Sequence, residues 1–268
     1  MTAQNAPLID SHVHIWSRGM PLTDTAWHAP PTDALLETCL STLDAQGVVF
    51  AVIAAASIHG EYFDYARAAL KAHKRLRATA IVSPTTDIYQ MEQMKADGFV
   101  GIRLMRAFVD NATEFDGDWR MHLARVADLG WHVHLIDKHE RMADSIAGVE
   151  ASGARLVIDH MGVGDLECPG GVNNPGFKAV LAAIDRGNTW VKISGRFRNR
   201  RPGEAELLAE QLLRVGGPER VLWASDWPFA AFEETVTYES VLADYHILVP
   251  DPDVRRKIDE TALRFYFS

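Results

Sequence analysis

The chain has 268 residues, 47% of them hydrophobic and 24% charged, with a formal net charge of −9. This composition describes a globular protein with a sizeable core, and its negative sign argues against nucleic acid or an anionic membrane as partner. No apolar run approaches a membrane span, and the first residues lack the basic and apolar regions of a secretory signal. The two cysteines, Cys39 and Cys168, have no metal-site spacing, so a cytoplasmic protein without structural disulfides is expected.

Short β-branched runs alternate with longer amphipathic stretches along the chain. In order, a strand is expected over 8–15 and a helix over 34–46, then strand 48–57 and helix 62–73, strand 76–83 and helix 88–96, strand 99–104 and helix 119–129. The same alternation continues with strand 131–136 and helix 139–151, strand 155–160 and helix 176–185, strand 189–194 and helix 204–215, strand 221–226 and helix 235–245. A last helix is expected over 252–265, with Asp251 before Pro252 suiting its start. Gly47, Gly98, Gly130, Gly153 and Gly187 stand where helices should stop, each just before a strand.

Eight βα units at this length predict an α/β fold of one domain over 1–268: a closed (β/α)8 TIM barrel with a C-terminal helix. An open doubly wound sheet would carry a Gly-rich phosphate loop after its first strand, and the sequence has none there.

Catalytic groups in such a barrel lie at the C-terminal ends of the strands, and these ends are polar here. The first strand carries Asp10-Ser11-His12-Val13-His14, and the period of two puts both histidines on one face. Arg103 and Arg106 follow on the fourth, His132 and His134 on the fifth, and Asp159-His160 on the sixth. The seventh carries Lys192 and Ser194 before Arg196, and the eighth ends Ser225-Asp226-Trp227-Pro228. Singly, each has an ordinary explanation: a satisfied core histidine, a turn aspartate, a surface ion pair. The segment Arg196-Phe197-Arg198-Asn199-Arg200-Arg201 by itself reads as a solvated basic loop. Convergence of six polar strand ends on one mouth is what coincidence explains poorly.

The stretches Ile9-Asp10-Ser11-His12-Val13-His14-Ile15-Trp16, Ile158-Asp159-His160-Met161-Gly162 and Leu222-Trp223-Ala224-Ser225-Asp226-Trp227-Pro228 resemble the amidohydrolase superfamily. The resemblance runs from Leu8 to Phe265 and is nearest to the amidohydrolase-2 group, which includes lactonases of pyrone dicarboxylates and sugar acids. It implies catalytic roles for His12, His14, His160 and Asp226, and substrate-binding roles for Arg103, Arg106 and Arg196. The fourth strand has no lysine for the carbamate bridge of binuclear members, and His134 stands where the pyrone lactonase has a tyrosine. His134 is therefore a further candidate for substrate contact. If one divalent ion such as Zn2+ is bound, His12, His14, His134 and Asp226 form an N/O ligand set for it, although the lactonase branch includes members that need no metal.

These residues suit hydrolysis of a small anionic lactone, with Asp226 taking a proton from the attacking water and arginines orienting a carboxylate. A metal-dependent decarboxylase and a non-catalytic carboxylate-binding barrel are the alternatives. Monomeric and homo-oligomeric states both remain open.

Overall fold

The computed structural model describes residues 7–108, 115–163, 168–199 and 201–268. Its strands are β1 (Ile9–Val13), β2 (Phe50–Ile53), β3 (Leu76–Ala80), β4 (Phe99–Met105), β5 (His132–Ile136), β6 (Arg155–Ile158), β7 (Thr189–Ile193) and β8 (Val221–Trp223). They pair in parallel in the order of the sequence. Between them run α1 (Leu36–Gln46), α2 (Asp64–Ala72), α3 (Ile88–Asp97), α4 (Asp118–Asp128), α5 (Met142–Glu150), α6 (Pro175–Asp185) and α7 (Glu204–Gly216). After β8 come α8 (Tyr238–Leu248) and α9 (Pro252–Phe267). This is the (β/α)8 barrel with a C-terminal helix. None of the described helices is long and apolar enough to cross a membrane.

Local chemistry sets most boundaries. Gly47 and Gly98 close α1 and α3 at φ 77° and 114°, where a Cβ would be strained. Asp251 accepts the Asp253 N–H ahead of Pro252 and starts α9 as expected. Several expected bounds shift. β2 is only Phe50–Ile53, its last bond to β1 running from Ala54 N–H to the Val13 carbonyl at 2.8 Å, while β3 and β8 stop at Ala80 and Trp223 and α5 starts at Met142. Likewise α8 begins at Tyr238, where Thr237 and Ser240 form a reciprocal capping box.

β1 and β8 close the ring through Asp226 N–H to His12 O at 2.9 Å and His14 N–H to Trp227 O at 2.7 Å. The floor of the barrel is apolar: Ile9, Val52, Val157 and Leu222 pack on Ala262, Phe265 and Tyr266 of α9. From Ile9, strict alternation would put the first histidine on the opposite face. The register shift between Asp10 and Val13 restores His12 to the interior.

Above the floor the interior turns polar, with His12, His132, His134, Asp159 and Lys192 all buried. Gly101 on β4 leaves room for the His132 ring: a Cβ there would run into the His132 carbonyl and imidazole. We therefore expect Gly101→Ala to destabilise the fold by roughly 3 kcal/mol, read as a lower urea midpoint at unchanged slope.

Burial sets the titration of this interior. It pushes His160 and His122 down to about 4, and lowers His14 and, further still, His12, His132 and His134. The unfolded chain takes up these protons below about pH 6.5 while the fold refuses them, so stability falls as pH falls. Burial has the opposite effect on three carboxyls, raising Asp10 to about 6, Asp259 to about 7, and Asp244 as well, which stabilises the fold as pH falls. With six imidazoles against three carboxyls, the melting temperature should drop steadily from pH 6.5 to 4.5. A flat profile in calorimetry would mean that the folded protein accommodates charged imidazoles.

Candidate active site

β1 and β8 meet at a buried carboxylate. Asp10 accepts the N–H groups of His12 (3.1 Å) and Ser225 (3.0 Å) on one oxygen and the Tyr238 hydroxyl (2.8 Å) on the other. This fixes the chain on either side of the mouth. Asp226 follows with φ 66° and His160 with φ 50°, left-handed conformations that non-glycine residues rarely adopt. Both side chains are thereby held at the strand ends.

Four groups converge there. The Oδ1 of Asp226 lies 3.5 Å from His14 Nε2, 3.6 Å from His12 Nε2 and 3.8 Å from His160 Nε2, while the two Nε2 atoms of His12 and His14 are 3.2 Å apart. His14 Nδ1 lies 2.8 Å from the Ala54 carbonyl. A carbonyl only accepts, so the proton sits on Nδ1 and Nε2 presents a lone pair. His160 Nδ1 is 2.9 Å from Ser194 Oγ.

The other oxygen of Asp226 receives Nε and Nη2 of Arg198, each at 2.7 Å. Burial by itself would raise this carboxyl, but the Arg198 guanidinium, then His160 and the His14 contact, hold it well below the usual carboxylate range. Asp226 is therefore ionised at neutral pH, beside histidines that burial keeps neutral.

Beneath lies a second ionic layer. Lys192 Nζ is 2.9 Å from Asp159 Oδ1, 3.0 Å from His12 Nδ1 and 3.1 Å from His134 Nδ1. Its ammonium thus stands among His12, His134 and Asp159, donors that would otherwise suit a metal ion. Burial lowers Lys192 to about 8, with Asp159 opposing the shift. Arg103 donates from Nε to Asp159 at 3.0 Å and from Nη1 to the Ala55 carbonyl at 2.8 Å.

The mouth opens into a cleft of about 200 Å³, lined by His14, Arg103, His160, Arg198 and Asp226 and by apolar side chains that include Trp27, Ile58, Met105 and Phe108. Of the expected substrate-binding residues, only Arg103 borders it. Arg106 donates to Asp137 at 3.0 Å and stacks over Phe115, a buried pair behind the strand ends. Arg196 reaches away to Glu206 and Asp244, which bind it to α7 and α8. Arg198, two residues on in the basic segment, takes the place beside the cleft.

His134 lies deeper than expected. It is two residues below the Ile136 that lines the cleft, with Nε2 3.2 Å from Tyr266 Oη and Nδ1 on Lys192. The geometry does not place it with His12, His14 and Asp226 around one ion.

Those three residues do fit such an ion. Their donor atoms are spaced 3.2–3.6 Å apart, close to the ~3.3 Å edge of a tetrahedral shell with bonds near 2.0–2.1 Å. His160 joins His12 and Asp226 in a compatible cluster and replaces His134 as the fourth candidate.

The chain is 30% identical over 169 residues to D-galactarolactone isomerase of Agrobacterium fabrum, covering 60% of this chain and 55% of that enzyme, so it spans about half of that relative. It is 27% identical over 285 residues to 2-pyrone-4,6-dicarboxylate hydrolase of Comamonas testosteroni, covering 98% of this chain and 90% of the relative. The crystal structure of a Pseudomonas putida protein, provisionally assigned as a 2-pyrone-4,6-dicarboxylic acid hydrolase, superposes with a TM-score of 0.88 at 30% identity over 97% of both chains. Residues 9–267 match the family described as Amidohydrolase (Amidohydro_2), and the chain belongs to that family.

Proposed function

We propose that the protein hydrolyses a small carboxylated lactone, in the cytoplasmic breakdown of aromatic or sugar acids. The observation that carries this reading is Asp226, ionised, anchored by Arg198 on one oxygen and facing the cleft histidines with the other. The lactone and pyrone relatives support the same reaction class.

In this reading a water beside Asp226 Oδ1 gives up its proton to that oxygen as it attacks the ring carbonyl. Arg103 and Arg198 set positive charge beside the cleft where the carbonyl oxygen becomes anionic. His160, held by the 2.9 Å contact of Nδ1 with Ser194 Oγ, turns Nε2 towards the same space. The ring C–O bond then breaks, and Asp226 returns the proton to the leaving oxygen, releasing a hydroxy acid. Among the described residues Arg103 directs Nε and Nη1 to protein acceptors, which leaves its other N–H groups for a substrate carboxylate. A divalent ion held by His12, His14 and Asp226, with His160 beside them, would supply Lewis acidity at the carbonyl.

The reading is tested by following acid release from a panel of carboxylated lactones, before and after chelator treatment. We expect ring opening by the wild type and a fall in kcat of about 10²–10⁴ for Asp226→Asn. Activity lost to chelator and restored by Zn2+ would assign an ion to the histidine cluster. Conversion of a lactone without acid release would replace hydrolysis by isomerisation, and inertness towards the whole panel would refute the proposal.

A further inference from the structure

Two consecutive residues after β1 reach opposite sides of the barrel mouth. Trp27 stands against Phe108, which follows β4, with ring centroids 5.1 Å apart. His28 stands against Glu233, which follows β8, with Nε2 2.7 Å from Oε1. In a closed ring of eight strands paired in sequence order, β4 and β8 face each other. Residues 27–28 therefore span the mouth. A further tie runs from Trp27 Nε1 to Ser57 Oγ, after β2, at 3.1 Å.

The His28–Glu233 contact joins residues 205 apart in sequence, and each side chain is only 15% exposed. A carboxylate accepts, so the imidazole donates from Nε2. Shielding of this degree spares the contact much of the solvent competition that weakens surface pairs.

Glu233 follows a turn that serves Asp226. Arg198, whose Nε and Nη2 hold Asp226 Oδ2, lies over the rings of Phe197 and Phe232 at 5.1 and 5.3 Å. Its Nη2 also donates to the Ala230 carbonyl at 3.3 Å. Phe232 and Ala230 belong to a turn in which Phe229 and Ala231 are left-handed, at φ 70° and 68°. Non-glycine residues keep that conformation only where their surroundings impose it. The contact of Glu233 with His28 fastens the turn from outside its own segment.

We propose that His28 and Glu233 are positioning residues for Asp226. Their contact holds the turn at 229–232 onto Arg198, and Arg198 holds Asp226 with its other oxygen facing the cleft. The consequence for the reaction rests on the lactone-hydrolysis reading; the linkage between the two loops does not.

Three substitutions at the pair test it. His28→Phe keeps a ring beside Trp27 and removes the donor, Glu233→Ala removes the acceptor, and His28→Gln restores an N–H of similar reach. With a lactone that the wild type opens, the first two should each lower kcat by about ten-fold and change KM by less than about two-fold. Combining them should cost no more than either alone, and His28→Gln should recover most of the rate. A rise in KM alone would make the pair a mere wall of the cleft, and additive losses or unchanged kinetics would mean that the two residues act apart. Each of these outcomes overturns the inference while leaving lactone hydrolysis standing. Amide hydrogen exchange supplies a readout that needs no substrate. In His28→Phe and in Glu233→Ala, peptides covering 24–32, 196–199 and 229–236 should lose protection together, while β4, β5 and β6 keep theirs. Loss confined to the substituted segment overturns the linkage. If the wild type opens no lactone, the hydrolysis reading fails and the exchange experiment alone decides whether the pair fastens the turn to Arg198.

Discussion

Asp159 sits in the middle of a closed barrel with no exposed surface, and an isolated carboxylate there would not stay ionised. It does so because Lys192 meets one oxygen and Arg103 the other, outweighing burial and holding the group well below the usual carboxylate range. Much of the site follows from this triad. Lys192 and Asp159 both touch His12 Nδ1, so they fix its ring plane. Arg103, tethered from below, presents the rest of its guanidinium to the cleft. Asp226 repeats the arrangement one layer up with Arg198. Each carboxylate is thus kept charged by a cation, and the imidazoles between them are kept neutral by burial.

Position along the strands decides which of these groups reach the substrate. His12 and His134 both point inward without lining the cleft, whereas His14, Ile136, His160 and Asp226, at or beyond the strand ends, do, and Arg103 reaches it from within β4. Groups one layer lower hold those above them in place. Tyr266 of α9 extends the sequence of contacts to the barrel floor, through His134 and Lys192 to His12. The C-terminal helix therefore packs the bottom of the barrel and also anchors the polar column beneath the site.

The sequence made the barrel legible because its signals are local: β-branched runs, helix-stopping glycines and eight repeats of one unit. His12, His14, His160 and Asp226 were legible for a related reason, since each stands at a predicted strand end and a closed barrel brings such ends together. Of the arginines, Arg103 borders the cleft as its strand-end position implies, while Arg106 and Arg196 do not. Arg196 and Arg198 differ by two residues in an irregular segment, and which one faces the cleft depends on the turn at 196–198 and on acidic partners from α7 and α8. Arg106 pairs with Asp137, a partner distant in sequence that no local pattern announces. Lys192 had a signal that went unused: a lysine at the centre of an apolar strand has to find a buried anion, and Asp159 at the end of the preceding strand was the available one.

The charged and the apolar lining of the cleft differ in how freely they can change. The charged groups neutralise one another, so replacing Arg198 would leave the buried Asp226 without its main partner. Substitution there disturbs folding and chemistry together. The apolar lining comes largely from connecting segments: Trp27 after β1, Ile58 after β2 and Phe108 after β4. Trp27 and Phe108 are partly exposed and satisfy no buried charge, so their replacement leaves the barrel's electrostatics intact. In this architecture the charged groups at the strand ends are tied to the fold by electrostatic necessity, whereas the apolar lining of the cleft is set by side chains that the fold does not need.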